Sequence, residues 1–350
     1  MLELAWCYLR CLNLRRILFP LLMMLLLKPS AEAKHALIMA GQEKVMETDV
    51  MLEPNRQAAA PVRVAFWNVE NFFYPGDDTA SAYDDAYTAE GGLHWTWGRF
   101  RRKRDVIYKT IVAMGLPAVV GLAEVEDSNV LNQLCLSTPL RRIPYHYIHF
   151  DSPDRRGIDC ALLYRAGAFE PFEWWASGFS DSVFRTRDVL VVGGRLVTGD
   201  TLYCLVNHWP SRLGGEESRR RREAIGAAVE GLADSLMGAH PSAEVVVMGD
   251  FNRELRRGEG EGSYKYEGAW EWIDHIFVFS AAGEGAEVEG FPFARLASRF
   301  RRLVCRVFAG RWLLAADERY LGLKPLRTYA GPRYVGGASD HLPVYVDLAR

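Results

Sequence analysis

An α/β domain with mixed sheets is the fold class this sequence predicts, on three observations. Short β-rich runs alternate with stretches of helical period from Val62 onward, and turns such as Gly193-Gly194 join some of the runs directly. The chain's 350 residues, 49% hydrophobic and 25% charged, can bury a sizeable core. That composition excludes disordered, collagen-like and disulfide-stapled chains. A formal net charge of −2 and a pI near 6.5 exclude a generally basic nucleic-acid coat, so nucleic acid could be held only by local patches.

Taken in chain order, residues 1–33 are expected to be a secretory signal peptide. Arg15 and Arg16 precede the apolar run Ile17 to Leu27, and Ala31-Glu32-Ala33 supplies a small-x-small cleavage site. The run is far shorter than the ~20 residues of a membrane span. Cleavage would therefore leave a secreted or periplasmic protein with no stable membrane insertion. A retained N-terminal anchor is the alternative, because the segment before Arg15 is long. Residues 34–61, polar and aperiodic, read as a flexible tether, and 62–350 as one domain, expected to be monomeric.

Within that domain Val62 to Trp67 and Pro117 to Ala123 read as buried strands. Between them Val106, Ile107, Thr110, Ile111 and Met114 recur at helical spacing behind the basic run Arg99 to Arg104. Further strands are expected at 143–150, 158–164, 187–197, 201–207, 243–249, 273–279 and 343–348. Ile225, Val229, Leu232 and Leu236 mark one helical face over 217–237. Cys160 and Cys204 sit in apolar strand-like runs, where a buried thiol is commoner than a disulfide. Tyr74 to Trp97 is long and aromatic; its rings either stack on a base or, as the favoured reading, cap the domain.

Six of the strands end in polar residues: Asn68 and Glu70; Glu124, Glu126 and Asp127; Asn207 and His208; Asp250 and Asn252; Asp274 and His275; Asp340 and His341. Singly, an Asp or Asn there is a turn or helix cap. Together they point to a site, because α/β folds collect their chemistry at strand ends. Carboxylate and amide oxygens without cysteine suit a hard divalent cation, Mg²⁺ above all. His208 and His341 can move protons or donate to a phosphoryl oxygen. Asp250 and Asn252, two apart, can aim at one centre. This inventory suits metal-assisted hydrolysis of a phosphate ester.

The motifs WNVEN, LAEVED, NHWPSR, GDFN, WIDHIFV and SDHLPV, in that order over residues 62–348, resemble the endonuclease/exonuclease/phosphatase superfamily with the DNase I-like fold. The resemblance implies a four-layer sandwich of two packed mixed β-sheets flanked by helices. It implies Glu124 as the principal Mg²⁺ ligand, Asn68 close to it and Asp340 as a second ligand, with Mn²⁺ or Ca²⁺ as alternative ions. His341 resembles the catalytic histidine paired with an acid. Asp250 resembles the residue that orients or deprotonates the attacking water, and Asn252 the one that fixes the phosphoryl oxygen. Asp274 resembles a supporting acid, and His208 a contact to phosphate or the leaving oxygen. Glu70, Glu126 and Asp127 flank the metal side. His275, His94, His146, His149 and His240 receive no role.

Arg156 and Arg212 are the candidates for holding substrate phosphate by bidentate contacts. The runs Arg99 to Arg104, Arg219 to Arg222 and Arg299 to Arg302 read by default as solvated faces, and as a phosphate-tracking stripe if they share the face of the site. A secreted Mg²⁺-dependent nuclease acting on DNA or RNA is the first expectation. A phosphatase or phosphodiesterase on phosphoinositides, sphingomyelin or another small phosphate ester is the alternative, and a non-catalytic binding module the third.

Overall fold

A computed structural model describes residues 61–76, 85–178, 186–255, 259–285 and 292–348. The expected leader and all of the tether but Pro61 lie outside the described residues, as does 256–258 in the connection after Asn252. No helix among the described residues is long and apolar enough to cross a membrane.

Chain order is β1 Val62–Phe72, α1 Trp97–Ala113, β2 Val119–Val125, α2 Ser128–Leu136, β3 Tyr145–His149, β4 Asp159–Arg165, β5 Phe169–Ser177, β6 Val189–Leu196 and β7 Thr201–His208. Then come α3 Gly215–Ala239, β8 Glu244–Asp250, the hairpin β9 Tyr264–Tyr266 and β10 Ala269–Glu271, and β11 Asp274–Phe279. The last part holds β12 Arg306–Val307, the hairpins β13 Leu314–Ala316 with β14 Leu323–Pro325 and β15 Tyr329–Ala330 with β16 Arg333–Tyr334, and β17 Val344–Leu348. One sheet runs β12-β17-β1-β2-β4-β3 and the other β11-β8-β7-β6-β5. Only β1 with β2 and β7 with β8 are parallel neighbours in these two sheets.

Period-two alternation builds the layers. Val64 and Phe66 of β1 face Val206 of β7 and Met248 of β8 across an inter-sheet core. Ala65 and Trp67 of the same strand turn outward onto Phe100 and Ile107 of α1 and Val130 of α2. On the second sheet Val245 and Val247 turn outward onto Ile225, Val229 and Ala233 of α3. The result is the four-layer sandwich that the resemblance implies.

The sheets approach closely at Gly121. A Cβ there would lie 2.6 Å from Met248 Sδ and 3.1 Å from Phe66 Cδ2. Gly121→Ala should therefore destabilise the domain by about 1–3 kcal/mol through overpacking. Urea unfolding measures this, and an unchanged midpoint would show the gap to be more yielding than its geometry.

Several expectations change. Strand β5 and helix α2 add to the elements that the sequence predicts. Pro171 and the exposed Phe172 and Trp174 hide β5, an edge strand of the kind that tolerates proline. Asp127, read as flanking the metal side, instead caps α2, accepting from the backbone N–H of Asn129 and Val130. Lys103 and Arg104, read as part of a solvated face, are buried. Of the 74–97 aromatics, Tyr83 lies outside the described residues, while Trp95 is fully buried and Tyr87 meets the rings of Phe73 and Tyr329, so these two cap the domain. Cys135, Cys160, Cys204 and Cys305 are all buried free thiols.

Candidate active site

Parallel pairing brings the C-terminal ends of β1 and β2, and of β7 and β8, to the same edges of their sheets. Register then aligns His208 with Asp250, and Asp250 with Asp274. His341 sits just before β17 and bridges to Tyr264 of β9. Two bulges re-aim the acids of the first sheet. The β1–β2 register shifts between Asn68 and Phe72, and the β2–β4 register between Ala123 and Val125. Glu70, Asn71 and Glu124 have φ of 48°, 51° and 64°, left-handed values that cost a non-glycine residue of order 1 kcal/mol each. Such outliers persist where the surroundings over-determine them, and bulges are common beside active sites.

These ends line a cleft of about 470 Å³ that includes Glu124, Arg156, His208, Asp250, Arg327 and His341. His341 Nδ1 lies 2.7 Å from Asp274 Oδ2, which also accepts the Ser263 hydroxyl at 2.6 Å. Trp67 Nε1 donates to the His341 carbonyl, and the His341 N–H donates to Ser339 Oγ. These two bonds fix the His341 backbone, while the ring is held through Nδ1, with Nε2 3.8 Å from Asp250 Oδ2. Burial alone would lower the imidazole's pKa. The charges of Asp274 and Asp250 and the Asp274 hydrogen bond outweigh it and hold the pKa well above 6.5.

Asp250 is fully enclosed: Oδ2 accepts from Asn68 Nδ2 at 3.0 Å and Oδ1 from the Asn252 N–H at 2.9 Å. Burial, then the charge of Asp274, pushes its carboxyl up to about 7. A carboxylate with that affinity is suited to take a proton from water at neutral pH. His208 presents Nε2 3.7 Å from both Glu124 Oε1 and Asp250 Oδ2. Burial and the nearby guanidinium of Arg187 keep its pKa well below 6.5, so it is a neutral hydrogen-bonding group.

Asn68 and Glu124 come together, but the amide donates rather than presenting an oxygen. Its Nδ2 lies 3.4 Å from Glu124 Oε1, while its Oδ1 accepts the Glu70 N–H at 3.0 Å. Glu124 Oε2 accepts the Asn71 N–H at 2.8 Å. Asp340 lines the same cleft and accepts from Arg327 Nη2 at 3.0 Å. Asn252 commits one amide hydrogen to the Trp209 carbonyl and keeps a second for the cleft. Arg212 reaches the rim with its fork engaged by Glu271, at 3.1 and 2.6 Å. Arg156 is freer, its guanidinium half-exposed and 3.7 Å from Asp154.

A divalent cation fits this donor set. Glu124 and Asp340 supply hard oxygens on the cleft wall, no sulfur is present, and Asp250 and Glu70 add negative charge that burial makes costly. Asp250, Asp274 and His341 also form a compact acid–histidine group, although its shortest contact is the 2.7 Å hydrogen bond.

The model of the Endonuclease/Exonuclease/phosphatase family matches residues 63–257 and 254–350. The chain belongs to this family. It is accordingly a hydrolase acting on phosphate esters. Comparison with curated proteins returns no match. Among solved structures, the mannosyl-6-phosphatase of Bacteroides thetaiotaomicron superposes with a TM-score of 0.50 at 17% identity, covering 83% of this chain and all of that one. Truncated TDP2 of Caenorhabditis elegans gives 0.49 at 15%, covering 82% and 98%. The human nocturnin catalytic domain with bound sulfate gives 0.47 at 17%, covering 82% and 93%. At these identities the likeness is one of fold.

Within this phosphoesterase, one network behind the cleft escaped sequence reasoning. Glu70 accepts Arg327 Nε and Nη2 at 3.2 and 3.1 Å and the Thr328 N–H at 2.7 Å. Lys103 donates to the Glu70 carbonyl and to Thr328 Oγ1. The ensemble fixes Arg327 at the cleft wall. Burial raises the Glu70 carboxyl to about 7 and lowers the Lys103 ammonium to about 8. Arg187, equally unforeseen, donates to the carbonyls of His208 and Trp209 and holds that strand end.

Proposed function

We propose that this phosphoesterase uses a divalent cation, Mg²⁺ in the first instance, to hydrolyse a compact phosphate ester in the cleft beside His341. The disposition of the basic side chains carries the choice of substrate size. Arg219, Arg220 and Arg221 pair with Glu216, Glu217 and Glu223 of their own helix, and Arg299 and Arg301 with Asp234 and Glu244. Lys103 and Arg104 are buried. Arg101 and Arg102 stay exposed, but among the described residues the arginines that line the cleft are Arg156, Arg212 and Arg327. Arg212 is paired to Glu271 and Arg327 to Glu70 and Asp340, a set suited to one phosphate rather than to a long backbone.

Glu124 and Asp340 would hold the cation, which when bound would supply charge stabilisation at the phosphoryl oxygens. Asp250, held by Asn68 and the Asn252 N–H, takes the proton of the attacking water. His341, charged and backed by Asp274, donates from Nε2 to an oxygen of the phosphoryl group as charge develops there. The ester oxygen, as its bond to phosphorus breaks, leaves as the alcohol with a proton from solvent in the open cleft. Neutral His208 and the free Asn252 amide hydrogen orient the phosphoryl oxygens, and Arg327 and Arg156 neutralise the ester's remaining charge. The fold neighbour named a mannosyl-6-phosphatase accords with a small ester. The leader pattern of residues 1–33 supports action outside the cytoplasm.

A nuclease acting on strand ends is the second reading, favoured by Tyr266, which is half-exposed on the cleft rim and able to stack on a base. A panel of phosphate monoesters, phosphoinositides, sphingomyelin, RNA, and linear and plasmid DNA separates the two. We expect kcat/KM at least about tenfold higher on a small ester, with little salt dependence. Preference for a polynucleotide, with affinity falling steeply as salt rises, would overturn the compact-ester reading.

A further inference from the structure

We propose a second, structural metal site, outside the catalytic cleft, in which His149, Asp151 and Asp159 bind a borderline divalent ion of the Zn²⁺ class. One ligand atom from each of the three lies within 4.8 Å of the others. His149 ends β3, Asp159 opens β4, and Asp151 stands in the loop between them, so the hairpin itself creates the cluster.

The His149 side chain is only 5% exposed, yet its Nε2 is buried with no hydrogen-bond partner. It points at Asp159 Oδ2, 3.6 Å away, too far for a hydrogen bond. Two ligands each about 2.1 Å from a tetrahedral zinc would stand ~3.4 Å apart, close to this spacing. Asp159 is prepared as a ligand. Its Oδ1 accepts both the N–H and the hydroxyl of Ser152, which leaves Oδ2 for the ion. Asp151, 89% exposed with Oδ1 3.9 Å from His149 Nδ1, reaches the set from the solvent side and leaves an entry path. One imidazole and two carboxylates without sulfur suit Zn²⁺ better than Mg²⁺, which favours oxygen alone.

An ion here would pin the loop that serves the cleft. Asp154 of that loop accepts Arg187 Nη1 at 2.8 Å and the Arg156 N–H at 2.9 Å. Arg187 in turn holds the His208 and Trp209 carbonyls, and Arg156 lines the cleft. The site would thus stiffen the presentation of a substrate-binding arginine without taking part in the reaction.

The test is a Zn²⁺ titration of the chelator-stripped full chain in excess Mg²⁺, read by a competing chromophoric chelator and by thermal melting. We expect one Zn²⁺ bound and a higher melting midpoint. His149→Gln and Asp151→Asn should each weaken that binding by at least the ~10–100-fold that even an outer-shell change costs, and abolish the Zn²⁺-induced shift. Asp151 is exposed, so its variant should fold even if the His149 variant does not. No Zn²⁺ uptake in excess Mg²⁺, or uptake by Asp151→Asn equal to the unmodified protein, would overturn the proposal. Neither result bears on the catalytic cleft.

Discussion

His341→Ala should lower kcat by at least about 10²-fold on every substrate the enzyme accepts, at a temperature where the variant is still fully folded. A positioned proton donor is worth at least that factor, or about 2.7 kcal/mol of transition-state stabilisation. The ring is buried, and its Nδ1 is held 2.7 Å from Asp274 Oδ2, so what the substrate meets is Nε2. Asp274→Asn tests the same unit without opening a cavity. Removing that carboxylate takes away the charge and the hydrogen bond that raise the imidazole's pKa. The ring then loses its proton at lower pH, so the alkaline limb of the kcat profile should move to lower pH. Measuring kcat against pH for both variants checks this. A loss that follows only stability, with no shift of the limb, would make the pair structural.

Removal of the cation has the other large effect. Glu124 faces the cleft from a bulge at a left-handed φ of 64°, next to Asn68 and His208. Chelation should abolish turnover, and Glu124→Gln should lower it by roughly 10³-fold, about 4 kcal/mol.

The strand ends were legible because each combines a local apolar run with the polar residue that stops it, as in Val246 to Asp250. Their convergence at one cleft was not written in any single run; it came through the order of the motifs. Arg327 could not be found this way, since its partner Glu70 lies 257 residues earlier in the chain. Lys103 left a signal that charge obscured: it falls on the helical stripe of Phe100, Ile107 and Ile111, all buried. Arg212 lines the cleft, but the engagement of its fork by Glu271 of β10 could not be read from the sequence. The pairing of His149 with Asp159 is not legible along the chain, because two facing strand ends look unrelated in sequence.

The most direct test of a metal-dependent phosphoesterase cleft is kcat/KM against free Mg²⁺ for the chelator-stripped protein and for Glu124→Gln, on one small ester. The unmodified protein should be inactive in EDTA and recover fully as Mg²⁺ is restored. Glu124→Gln should need at least about tenfold more Mg²⁺ and level off far lower, at unchanged melting temperature. Full activity in EDTA, or superimposable Mg²⁺ curves for the two proteins, would contradict the account.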